Sequence, residues 1–216
     1  MGTLLNRRRY MGTSKQEKVL FEMYNQYFNG TASSVVDTGV KLWDGTHNSW
    51  KMEVVYDAIT AQYADNITLF TVRPDASPYS GVRVRKDRSF SKQSDFTLTV
   101  GEGGTVINMN ENFISGTDSY GLHLSSEYGN DVNNLTIIRD GNTLFIDYNG
   151  YTATIQITEP KTNNLNLLIG CDYRGTSGTQ RYYTGTVQKF VIKELPSADV
   201  VLQAGYKQYQ LKTIQQ

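Results

Sequence analysis

The stretch Asn134-Leu-Thr-Ile-Ile-Arg-Asp140-Gly141-Asn-Thr-Leu-Phe-Ile-Asp-Tyr-Asn149-Gly150-Tyr-Thr-Ala-Thr-Ile-Gln-Ile157 decides the fold class of this 216-residue chain. Apolar and polar residues alternate along it, and two dipeptides, Asp140-Gly141 and Asn149-Gly150, interrupt the alternation. Successive side chains of an extended strand point to opposite faces, and Asp-Gly or Asn-Gly supplies the positive φ angles that tight hairpin turns need. The run therefore predicts a three-strand meander.

The same period of two extends outward. From Trp50 to Ala58 the even positions Trp50, Met52, Val54, Tyr56 and Ala58 are apolar, Lys51, Glu53 and Asp57 alternate with them, and only Val55 breaks the pattern. Short runs follow at Ile67 to Val72, at Gly81 to Arg85 where valines alternate with arginines, and at Phe96 to Val100. Further strands are expected at Asn164 to Gly170 and Gly185 to Ile192, with a Gly/Thr/Ser loop over residues 174–179. Many short strands bounded by Gly, Pro, Asp or Asn predict an all-β, two-sheet antiparallel sandwich.

The first thirty residues read differently. Arg7, Arg8 and Arg9 form a basic start, and Val19/Leu20, Met23/Tyr24 and Tyr27/Phe28 recur at four-residue spacing, with Ser14 and Glu17 placed as a capping box. This spacing predicts a short helix over residues 14–28, with an extended strand over 19–28 as the alternative, because the segment is also rich in aromatic residues. The expected organisation is a basic arm and short helix over 1–30, a sandwich over 31–194 and a tail over 195–216.

Composition narrows the function. Lys plus Arg equal Asp plus Glu at 21 each, so no global field draws the chain to nucleic acid or to an anionic membrane. Cys171 is the only cysteine, which excludes an intrachain disulfide. No stretch has the apolar length of a membrane span, and the basic start is not followed by an apolar signal-peptide region, so export by the usual route is not expected. Three Asn-x-Thr triplets, at Asn29, Asn66 and Asn134, read as coincidence in an Asn- and Thr-rich chain.

Three segments in this order resemble the laminin G/concanavalin A-like superfamily: Phe28-Asn-Gly-Thr with Val36-Asp-Thr-Gly39, then Leu135 to Gly150, then Leu167-Leu-Ile-Gly170 with Tyr182-Tyr-Thr-Gly-Thr-Val187. The resemblance covers about residues 24–194 and implies a concanavalin A-like jelly roll. The Arg-Arg-Arg start leading into Val-Asp-Thr-Gly also resembles virion proteins of phages infecting gut Bacteroidetes (crAss-like phages). That likeness implies a particle-borne protein, made in the host cytoplasm without a signal peptide and placed on the virion surface.

Catalysis finds little support. The Glu-x-Asp-x-x-Glu pattern of the superfamily's glucan hydrolases is absent. Glu53 and Asp57, on one strand face, would stand roughly 13 Å apart, beyond the ~5–9.5 Å of glycosidase carboxyl pairs. His47 and His123 show no metal-ligand spacing, and Gly101-Glu-Gly-Gly104 lacks the Lys-Ser/Thr of a phosphate loop. Cys171 reads as a small core residue. No cofactor is expected and no metal is assigned; calcium at the Asp/Asn-rich loops stays open, although no calcium-loop spacing is present.

Carbohydrate binding needs a ring to stack on a sugar, beside polar groups for its hydroxyls. Trp43, Asp44 and Asn48 in one loop, and Asp172, Tyr173 and Arg174 in another, supply that mixture and are the candidate binding residues. The alternative, favoured for each ring taken alone, packs Trp43 and Tyr173 over the sandwich ends. Arg7, Arg8 and Arg9 are candidate anchors to an acidic surface, on a partner subunit or on nucleic acid, for which three arginines alone are a weak signal. The expectation is a non-enzymatic phage virion structural protein, a fibre, tail or decoration component whose lectin-like domain recognises host-surface glycan. Its partners would be other virion proteins, with homo-oligomerisation open and nucleic acid not expected. The alternatives are a stand-alone carbohydrate-binding module and, after it, a glycoside hydrolase.

Overall fold

The meander forms as its alternation requires. Strand β9 (Val132–Asp140) pairs with β10 (Thr143–Tyr148), which pairs with β11 (Tyr151–Gln156), all antiparallel. Asp140 faces Thr143, so Gly141 and Asn142 alone make the first turn, and Gly141 takes the left-handed φ of 58°. Tyr148 faces Tyr151 across the second turn. Leu135, Ile137, Leu144, Ile146 and Tyr148 send their side chains into the core.

The computed structural model describes residues 17–57, 67–73, 80–86, 96–102, 105–107, 122–124, 132–148, 151–157, 162–174 and 178–195. Three further strands complete the meander's sheet: β1 (Lys18–Asn29), β3 (Ser49–Asp57) and β15 (Thr184–Glu194), in the order β1-β15-β3-β9-β10-β11. In β3, Trp50, Met52, Val54 and Tyr56 are buried, as the even-position pattern predicts, and Val55 lies opposite Lys189.

The second sheet holds β2 (Val36–Asp37), β12 (Leu168–Ile169), β4 (Ile67–Thr71), β5 (Gly81–Lys86), β6 (Phe96–Glu102) and β7 (Thr105–Ile107) in that order, with β8 (Leu122–Leu124) also pairing with β6. A two-stranded ribbon, β13 (Asp172–Arg174) with β14 (Gly178–Gln180), is hydrogen-bonded as a separate pair. The protein is thus a two-sheet antiparallel jelly-roll sandwich. Its core runs from Trp50, Met52 and Val54 of one sheet to Leu69, Phe70, Val82 and Val84 of the other. Phe190 bridges the layers, meeting Phe70 edge to face at 5.5 Å.

The predicted helix over 14–28 is corrected from Lys18 onward: that segment is the edge strand β1, paired with β15 from Lys18↔Glu194 to Asn29↔Thr184. Two irregularities explain the false period. The register shifts between Val19 and Phe21, and Asn25 takes a left-handed φ of 51°. Each resets which side of the strand faces inward. Leu20, Phe21 and Met23 therefore pack on the core, and Phe28 is buried, while Tyr24 and Tyr27 remain exposed. A strand whose phase is reset twice shows apolar residues every four positions, which mimics a helix. Residues 1–16 and 196–216, with Arg7, Arg8 and Arg9, lie outside the described residues.

One glycine is demanded by packing. Gly170, at φ 87°, closes β12 beneath the ring of Phe28, and a Cβ there would collide with that ring. The Leu-Ile-Gly step of the sequence is therefore a close approach between strand end and aromatic ring.

Candidate functional site

The alternation Val82-Arg83-Val84-Arg85 builds the site. The valines are buried in the core, so the period of a strand puts both arginines on the other face of β5, an interior strand of its sheet. The ribbon supplies the rest. β13 lies against β4, and the turn after β14 is tied down by a Thr68 amide that donates to the Arg181 carbonyl at 2.9 Å. Tyr183 N–H donates to Gly170 O at 2.9 Å, closing the base of the ribbon.

This geometry buries Asp172 completely. Its Oδ2 accepts a hydrogen bond from Arg83 Nη1 at 3.1 Å, and Arg181 Nη1 and Arg85 Nη1 stand 3.6 and 3.7 Å away. Desolvated charges are expensive unless paired, and guanidinium forks are the groups best shaped to meet carboxylates. Arg85 and Arg181 keep side-chain exposures of 16% and 12%, so the cluster reaches solvent through them.

Of the sequence-predicted residues, Asp172 is the one at the centre of this cluster. Tyr173 follows it half-buried, its hydroxyl donating to Asn166 O at 3.2 Å; burial, then the charges of Asp37 and Cys171, push the phenol up to about 12. Arg174 is in β13, and its side chain lies outside the described residues. Cys171 is buried, and burial with the negative charge of Asp172 and Asp37 pushes its thiol up to about 12, so it is no thiolate nucleophile at neutral pH.

Trp43 as a sugar platform is a correction, and its packed alternative is the one the structure takes. Trp43 is only 2% exposed, meets Trp50 edge to face at 5.8 Å and lies under the Arg139 guanidinium at 4.5 Å. Arg139 is fixed there by donating to Gly141 O at 2.9 Å and Leu42 O at 3.3 Å. A ring consumed in this way offers no face to a sugar. Asp44 accepts from the Thr46 amide and hydroxyl at 2.9 and 2.6 Å; desolvation opposes ionisation, but these bonds and the charges of His47 and Lys41 hold its carboxyl below the usual range. Asn48 is exposed, and its carbonyl accepts from Gly141 N–H at 2.8 Å. These groups shape a turn at the meander end, fixed to Gly141 and Asn163, whereas Asp172 is fixed to β4 and β5.

The carboxylates weighed for hydrolysis have other duties. Glu53 pairs with Lys51 at 3.1 Å and Lys189 at 3.3 Å. Burial opposes its ionisation, but the Lys51 bond and the charges of both lysines hold its carboxyl below the usual range. Asp57 accepts from Gln188 at 2.7 Å, and His47 Nδ1 lies 3.4 Å from Glu194. Backbone pairing sets His123 opposite Thr97. Among the described residues no group of three or more His, Cys, Asp or Glu is placed to hold a metal ion.

Arg83, Arg85 and Arg181 were not among the expected site residues. The signal for the first two was present in the valine-arginine alternation. Nothing local marks Arg181, which reaches Asp172 through the ribbon.

No protein-family model and no curated protein matches the chain. Solved structures share its fold. The NanB sialidase of Streptococcus pneumoniae, as a K499G mutant, aligns at a TM-score of 0.52 and 10% identity, over 86% of this chain and 28% of its own. A leech intramolecular trans-sialidase complexed with 2,7-anhydro-Neu5Ac aligns at 0.52 and 15%, over 88% and 28%. The IT-sialidase CBM40 of Ruminococcus gnavus, bound to α2,3-sialyllactose, aligns at 0.51 and 12%, over 85% and 98%. The chain thus spans about a quarter of the two sialidases and nearly the whole of the CBM40.

Proposed function

We propose that the chain is a glycan-binding module that acts without catalysis and takes acidic sugars at the cluster of Arg83, Arg85, Arg181 and Asp172. The observation that carries this reading is the gathering of three guanidiniums around one buried carboxylate on a sheet face. A sugar carboxylate is the ligand group such a cluster suits, because a planar fork binds it through two parallel N–H bonds. The fold-mates add support: two of them hold sialic-acid-derived sugars, which carry a carboxylate.

An array pairing acidic glycans, bacterial capsular polysaccharides among them, with neutral counterparts tests the reading. Retention of acidic members, weakening as salt rises, is the expected result. Equal retention of neutral and acidic members, or none at all, would overturn it. Release of reducing sugar that disappears in Glu53→Gln would overturn the non-catalytic part.

The finer setting we propose is a phage particle that displays this module, held by an arm carrying Arg7, Arg8 and Arg9. It is supported by the resemblance of the arm and of Val36-Asp-Thr-Gly39 to virion proteins. Antibody labelling of purified particles checks it, and protein found only free of particles would sink it.

A further inference from the structure

We infer that the outer face of β1 carries a second sugar-binding site, at which the exposed rings of Tyr24 and Tyr27 stack on the apolar faces of a neutral oligosaccharide. This goes beyond the acidic-sugar reading, since the two rings stand on the six-stranded sheet and the arginine cluster on the other.

Among the described residues, the large hydrophobic side chains left exposed are Val19 at 48%, Tyr24 at 55% and Tyr27 at 59%, all in β1. Met23 packs inward and Phe28 is buried, so the period of the strand turns their neighbours Tyr24 and Tyr27 outward. Tyr24 lies opposite Lys189, whose ammonium meets Glu53 of β3 on that face at 3.3 Å, and Tyr27 lies opposite Thr186. The Tyr24 hydroxyl donates to Glu22 at 3.4 Å. Carboxylate and ammonium groups therefore edge the rings, and a sugar needs such groups for its hydroxyls beside a ring for its apolar face.

The backbone supplies an independent observation. Residues three apart in a regular strand point to opposite faces, so an unbroken β1 would turn one of these two rings toward the core. Asn25, between them, takes a φ of 51°, yet the pairing with β15 keeps one register from Phe21↔Ile192 to Asn29↔Thr184. β15 follows the kink by shifting against β3 at the same level, between Val187 and Lys189. Both rings thus reach one side while the strand keeps its partner. The kink also blunts the outer edge, because a strand broken in phase at Asn25 and shifted between Val19 and Phe21 is a poor template for a further strand. The ligand therefore meets the face and not the edge. Three strand steps set the rings roughly 10 Å apart, wider than one sugar ring, so a ligand that touches both is an oligosaccharide.

Wild type, Tyr24→Ala, Tyr27→Ala, Tyr24→Phe and Tyr27→Phe, each as the full chain, are titrated with cellotetraose and lacto-N-neotetraose in high salt, which screens the arginine cluster. Wild type is expected to bind at least one of these neutral tetrasaccharides, and each Ala variant to bind it about three- to tenfold more weakly, the share of one aromatic contact. The Phe variants keep the ring and should stay within about twofold of wild type. Melting temperatures within about 2 °C of wild type are expected, because both rings are exposed. Binding of neither tetrasaccharide, undiminished binding by both Ala variants, a loss in the Phe variants as large as in the Ala variants, or a fall in melting temperature that tracks the loss of binding would overturn the inference. So would a wild-type dimer that becomes monomeric in the Ala variants, which would give the rings to a second copy of the chain. Retention of acidic sugars at low salt reads the arginine cluster separately, so either site can fail while the other stands.

Discussion

The outward faces of the two sheets handle charge in opposite ways. On the six-stranded sheet, Lys51, Glu53 and Lys189 form a ladder across β3 and β15, and Lys193 reaches Glu17 at 2.8 Å. These side chains stay about a fifth to a third exposed. Water and salt screen such pairs, and each contributes roughly 0–1 kcal/mol. On the other sheet Asp172 of the ribbon meets Arg83 and Arg85 of β5 where the side chains are largely buried, and charges taken out of water carry a large desolvation cost. The contrast teaches where to look for function. A ladder of alternating charge suits a solvated strand face, whereas several charged side chains gathered largely out of water around a fully buried carboxylate carry a cost that points to a task.

The contrast breaks most directly at Asp172. Asp172→Ala leaves arginines facing one another without their shared carboxylate and is expected to cost about 3–5 kcal/mol in chemical denaturation. A loss below 1 kcal/mol would put the cluster on the same footing as the ladder. Trp43→Phe sharpens the comparison with a third device, in which Arg139 is buried over an aromatic ring. Burial alone pulls the Arg139 pKa down, and the weaker ring is expected to cost about 2 kcal/mol. Glycan retention should be unchanged, since Trp43 is in the core; a selective loss of binding with stability intact would restore it to the site.

The smallest effect belongs to Glu53→Gln, at about 0.2–1 kcal/mol near neutral pH. Glu53 has its folded-state pKa lowered, so its share of stability is present above the ordinary Glu range and is lost as pH falls through the lowered value. Acid titration of stability should therefore be shallower in Glu53→Gln than in wild type. Identical acid profiles would mean that the two lysines do not stabilise the ionised form.

The heart of the six-stranded sheet was legible because β3, β10 and most of β9 keep a period of two. The meander, β3 and β5 announced themselves through alternation and Asx-Gly turns, and the structure pairs them accordingly. β1 was misread because a register shift and the left-handed Asn25 reset its phase, information that composition does not carry. The candidate site was legible only in part. Asp172 came from a loop rich in polar and aromatic residues, but the arginines around it are 89, 87 and 9 positions away in sequence. Trp43 misled for the opposite reason, since a loop tryptophan beside Asp, His and Asn has the composition of a sugar platform wherever it packs.

The pairing of Lys18 with Glu194 has a mechanical consequence. The described fold begins and finishes at adjacent positions on neighbouring antiparallel strands, at the sheet's outer edge. A load pulling those two points apart acts along the inter-strand hydrogen bonds, which run perpendicular to the strands, and so meets them one after another. β1 would peel from β15 like a zip while the remaining five strands of its sheet stay paired, so under such tension the sheet yields first at its rim.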